Sequence, residues 1–128
     1  MEIATWVVAG VLAALYLTAG TLKTTQPMAR LAGPMPWTTS LTLPQVRFLG
    51  VAELLGALGL VLPKLLDVVD QRAGLDGTLT GLAATGLALI QAGAIALHLK
   101  RAEAAVVPLN VVLFVAAAFV AAARFGLL

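Results

Sequence analysis

Four polar side chains interrupt the apolar runs of this 128-residue sequence: Tyr16, Glu53, Gln91 and Asn110. An ionisable group inside an apolar span is costly and marks a site by default. A carboxylate there can take up or release a proton, while a phenol and two carboxamides can hydrogen-bond a ligand or one another. Counting residues from the ends of their runs at 1.5 Å per residue puts all four about 9–13 Å below the same surface. Arg47 and His98 stand above this layer. Gln91 and His98 are seven apart and share a helix face, whereas Arg47 and Glu53, six apart, do not. Two readings follow: interhelical hydrogen bonds that fix helix register, or a small polar-lined pocket. Glu53 is the candidate catalytic acid/base, and Tyr16, Arg47, Gln91, His98 and Asn110 are the candidate ligand-binding residues. Glu53 is expected to face inward, with a partner among Tyr16, Gln91, Asn110, His98 or Arg47. Lys23 and Arg124 read as anchors at helix ends.

Other chemistries are poorly served. There is no cysteine, hence no disulfide, thiolate metal site or dithiol redox centre. With one histidine and no recognisable ligand spacing, no metal is expected. Gly56-Ala-Leu-Gly59 lies in an apolar run and is no phosphate loop. Ser40, the only serine, falls in a loop.

The elements that must position the polar layer are set by composition. Hydrophobic residues make up 61% of the chain and charged residues 11%, and the mean hydropathy is +1.02. A soluble domain carries about 25% charged residues, and one this small could not bury so much apolar surface. The solvent is therefore expected to be a lipid bilayer, and the fold an all-α, integral membrane four-helix bundle. The spans fall at 3–22, 46–63, 78–99 and 104–125, in one transmembrane domain over 1–128. Pro63-Lys64 reads as the end of the second span, although Leu65–Val69 could extend it. Pro108 falls in the opening turns of the fourth, where proline is tolerated. Met1-Glu2 places no cation ahead of the first run, which reads as an uncleaved helix rather than a signal peptide.

The connections are short except the first. Residues 23–45 hold Pro27, Pro34, Pro36 and Pro44, which deny a long helix, and Trp37, which suits a loop lying against lipid headgroups. A second, polar connection at 64–77 holds Asp67, Asp70, Arg72 and Asp76. The loop face, bearing residues 23–45 and 100–103, carries five cations, against three on the face of the termini. That bias puts the termini outside, in a multi-pass protein of the cell membrane. The net charge of +2 reports this orientation and no nucleic-acid partner. Small-xxx-small spacings at Gly10-Ala14-Thr18, Ala52-Gly56, Gly77-Gly81-Thr85 and Ala117-Ala121 predict close helix packing, within the bundle or in a homodimer.

The stretch from Arg47 to Pro63 reads R-x-x-G-x-x-E-x-x-G-A-x-G-L-x-x-P, and His98 to Glu103 reads H-x-x-x-x-E. Together with Ala19-Gly20-Thr-Leu-Lys23 and the late Arg124, these segments resemble the DoxX-like family of small four-helix membrane proteins. The resemblance implies a compact four-helix membrane fold. Its relatives include a membrane subunit associated with thiosulfate:quinone oxidoreduction, components linked to oxidative-stress defence, and assembly chaperones for receptors. Three functions are compatible with the residues. One is a redox-associated accessory subunit holding a quinone or other lipophile, or a lipid, around Glu53. Another is an assembly factor contacting a second membrane protein through its small-residue faces. The third is a membrane enzyme using Glu53 as acid/base on a lipophilic substrate.

Overall fold

The computed structural model describes residues 2–69 and 76–128. Its long helices are α1 (Glu2–Thr25), α3 (Leu43–Val69), α4 (Asp76–Lys100) and α5 (Val107–Arg124), and no strand occurs among the described residues. Each is long and apolar enough to cross a bilayer. A short α2 (Met28–Leu31) and a 3-10 turn (Pro36–Ser40) join α1 to α3, and a second 3-10 turn (Ala104–Val106) opens α5. In hydrocarbon every backbone polar group must be satisfied inside the chain, which leaves helices as the solution for these runs.

α1 packs most extensively on α3, and α4 on α5. The α3–α4 contact joins the two pairs, and α1 and α5 touch more lightly. The core is built largely of small residues: Ala9 and Ala13 on α1, Ala57 on α3, Ala84 and Ala88 on α4, Ala117 and Ala121 on α5. Leu12, Leu60, Leu87 and Val120 fill the space between them. The bulkier apolar side chains face outward, among them Ile3, Phe48, Leu55, Leu82 and Val112. That inversion suits a bundle solvated by lipid, where apolar bulk outside costs nothing and small residues inside let backbones approach.

One expectation is corrected. Pro63 does not end the second span, since α3 runs through it to Val69. A membrane helix tolerates proline where neighbours re-satisfy the freed carbonyl, and the apolar residues beyond it continue the run. The first connection folds back across the bundle end, with Leu31 and Thr38 fully buried. The small-residue stripes are packed inside the chain only in part. Gly81 meets the Phe125 ring and Gly77 the Arg124 carbonyl, but Thr85 and the whole Gly10-Ala14-Thr18 stripe are exposed. Asp70 and Arg72 of the polar second connection lie outside the described residues.

Candidate functional site

The polar layer exists, and it divides in two. On one side is a neutral chain: Asn110 Nδ2 donates to Gln91 Oε1 at 2.8 Å, and Gln91 Nε2 donates to the Tyr16 hydroxyl at 2.8 Å. This chain ties α5, α4 and α1 together. The Tyr16 hydroxyl accepts from Gln91, so its own proton is free to donate.

On the other side is an ion pair that the sequence did not announce. The buried Glu53 carboxylate takes its partner from Lys23, whose Nζ lies 2.5 Å from Oε1. None of Tyr16, Gln91, Asn110, His98 or Arg47 holds Glu53. Lys23 is no snorkelling anchor: it is buried, pointing into the bundle. Arg47 also departs from expectation. It does not line the cavity described below; its Nη1 donates to the Lys23 carbonyl at 2.6 Å, capping the end of α1. Arg47 and Glu53 thus hold the same residue, one by its backbone and the other by its side chain.

A pair of glycines makes this possible. Gly20 precedes Lys23 by one turn, and Gly50 precedes Glu53 by one turn. A Cβ on Gly20 would lie 2.8 Å from the Gly50 carbonyl oxygen, and one on Gly50 would lie 2.9 Å from Lys23 Cβ. Only a crossing without side chains brings α1 and α3 this close, and the crossing sets the reach of both charges.

Between the ion pair and the neutral chain lies a cavity of about 650 Å³, within the range of small-molecule sites. Tyr16, Lys23, Glu53, Gln91, His98 and Asn110 supply its polar wall. Leu15, Leu49, Leu89, Ile90, Leu97 and Leu113 supply much of the apolar wall. Glu53 Oε2 is buried and has no hydrogen-bond partner. Such an acceptor is expensive to leave empty.

The first connection roofs the cavity. Trp37 sits over Lys23, with Nζ 5.0 Å from its ring centroid, and meets His98 edge-on at 6.4 Å. Arg101 donates to Ser40 and, at 3.4 Å, to Thr39, fastening the roof to the end of α4. Arg101 Nε also donates to Glu103 Oε1 at 2.8 Å. That hydrogen bond, with help from His98, holds the Glu103 carboxyl below the usual carboxylate range. Among the described residues, no three His, Cys, Asp or Glu side chains converge as metal ligands.

Sequence reasoning brought Tyr16, Glu53, Gln91, His98 and Asn110 to one cavity but missed Lys23, Trp37 and Glu103. Lys23 carried a signal: it follows Tyr16 by seven residues, the same spacing that linked His98 to Gln91.

The DoxX-like family profile matches residues 7–120. The chain belongs to the DoxX-like family. No curated protein and no solved structure matches it. In this DoxX-like protein the conspicuous second-helix pattern has a division of labour. Arg47, Gly50 and Glu53 address α1, whereas Gly56 and Gly59 address Leu87 and Ala83 of α4. It is a multi-pass membrane protein whose four spans enclose a polar-walled cavity under one face.

Proposed function

We propose that this single-domain protein holds a quinone, or a lipophile with the same head chemistry, between Tyr16 and the Lys23–Glu53 pair, as an accessory subunit to a redox partner. Glu53 lines the cavity and its buried Oε2 has no hydrogen-bond partner, and that combination carries this reading. A ligand hydroxyl donates to Oε2, while the Tyr16 hydroxyl and the Lys23 ammonium donate to a ligand carbonyl. The quinol offers the hydroxyl and the quinone the carbonyl on the same flat apolar ring, and the leucine-rich wall accepts the ring and the start of a tail. Glu53 is then a proton-handling group as well as a binding one. With no cysteine, the chain offers no dithiol of its own to exchange electrons with the ligand, so the electrons belong to the partner. The cation bias of the loop face turns the cavity mouth toward the cytoplasm of a cell membrane, with both termini outside.

The test uses Trp37 as reporter in a Trp6→Phe background. Titration with menadiol, kept reduced, in detergent or nanodiscs gives saturable quenching. Converting the ion pair to a neutral pair, Lys23→Gln with Glu53→Gln, leaves a folded protein that binds at least tenfold more weakly. Unchanged affinity in that double variant, or quenching that never saturates, contradicts the proposal.

A further inference from the structure

The only histidine of the chain stands at the roof of the cavity, where α4 ends in a strained turn. Ala102 is left-handed, with φ 57°. Its N–H reaches the Leu99 carbonyl at 3.1 Å, and the Glu103 N–H reaches the His98 carbonyl at 2.8 Å. This paired termination ordinarily places glycine at the left-handed position. The end of α5 does so, with Gly126 at φ 75° and the equivalent bonds to Ala123 and Ala122. An alanine there carries about 1–2 kcal/mol of strain.

What the strained turn accomplishes is the return of Glu103 over His98. The carboxylate Oε1 lies 3.2 Å from Nδ1, and Arg101 holds the same oxygen. Trp37 braces the ring from the roof. A carboxylate accepts, so Nδ1 carries the proton. Nε2 makes no hydrogen bond among the described residues, and its ring lines the cavity. The other charged or titratable groups around this space are Arg101 in the same turn, Lys23 and Tyr16 from α1, and Glu53 from α3. Lys23 and Glu53 neutralise each other, and α5 presents only the neutral Asn110. Glu103 is the carboxylate that acts on the imidazole.

We propose that His98 and Glu103 form an oriented acid–base pair that moves a proton between the hydroxyl of a cavity-bound lipophile and water at the loop face. The proposal rests on the cavity being a quinol-type site. The ligand O–H bond breaks, a new N–H bond forms at Nε2, and the electron pair stays on the ligand oxygen. Glu103 stabilises the imidazolium, which returns to its Nδ1–H form by releasing the Nε2 proton to water once the ligand oxygen has left. Uptake runs the same steps backward. His98 is the group that touches the ligand; Glu103 is a positioning residue.

With one histidine, the protein labelled with ¹⁵N-histidine in nanodiscs gives a single imidazole spectrum. The neutral ring shows its proton on Nδ1. Glu103→Ala shifts it to Nε2, and Glu103→Gln, whose amide oxygen still accepts, retains Nδ1–H. Menadiol, kept reduced, then shifts the Nε2 resonance of the wild-type protein. A wild-type ring protonated on Nε2, or a tautomer indifferent to Glu103→Ala, overturns the proposal. So does menadiol that quenches Trp37 without moving Nε2. Menadiol that fails to quench Trp37 overturns the cavity reading, and the proton route with it.

Discussion

The two ends of the bundle solve opposite problems with similar helices. Toward the termini the helices close on one another: Gly59 lies against Ala83, Gly77 against the Arg124 carbonyl, and Gly81 against the Phe125 ring. Toward the loop face the helices leave a cavity, and what holds its wall is polar. The Lys23–Glu53 pair, the Tyr16–Gln91–Asn110 chain and the Arg101–Glu103–Ser40 fastening replace apolar packing there. Small residues make a bundle tight. Buried hydrogen-bonded groups keep part of it open, because collapsing the cavity would require breaking them.

The largest expected effect breaks the open end. Lys23→Met strands Glu53 as a lone buried charge and should cost about 3–5 kcal/mol, read as a lowered Tm in detergent. Adding Glu53→Leu should recover most of that loss, because a matched apolar pair removes the stranded charge. Recovery of stability without recovery of menadiol binding would separate the role of the pair in folding from its role at the cavity.

The same substitution placed at the two ends sharpens the contrast. An alanine Cβ at Gly59 would sit 2.6 Å from Ala83 Cβ, so Gly59→Ala should destabilise by about 1–3 kcal/mol. At Gly93, beside the cavity, nothing lies within 4 Å. Gly93→Ala should stabilise by up to about 1 kcal/mol through helix propensity. Equal signs in thermal melts would show that the two ends do not differ in packing.

Smaller again is Ala102→Gly, which relieves the left-handed strain and should stabilise by about 0.5–1 kcal/mol while leaving the His98 tautomer unchanged. The smallest effect is pH-dependent. The folded Glu103 carboxyl titrates below its unfolded value. Its contribution is therefore present above the unfolded carboxylate range, near pH 4.3, and fades as pH falls through the lower, folded value. Acid should loosen the roof, read as faster quenching of Trp37 by acrylamide, and Glu103→Ala should remove that dependence.

The sequence carried the fold almost completely, because hydropathy and span length are summed over many residues and survive local error. Pro63 misled by one turn and more, since proline is a stop signal in water but a tolerated defect in lipid. The cavity was legible in depth and not in partnership. Counting along helices placed Tyr16, Glu53, Gln91 and Asn110 in one layer. Which of them meet depends on helix rotation and on the Gly20–Gly50 crossing, which no single run encodes. Lys23 was hidden by position: a cation at a span end reads as an anchor until the neighbouring helix shows a carboxylate beside it. Trp37 was hidden because a proline-rich connection gives no period from which to infer that it folds back.

The central claim is that the free oxygen of Glu53 waits for a ligand donor at the open end. The direct measurement is the affinity of menadiol, kept reduced, by Trp37 quenching in the Trp6→Phe background, for the wild-type ion pair against the Lys23→Gln/Glu53→Gln double variant at equal thermal stability. The account predicts saturable binding that weakens at least tenfold in the double variant. Equal affinity in the two proteins would contradict it and leave the ion pair with a structural role only.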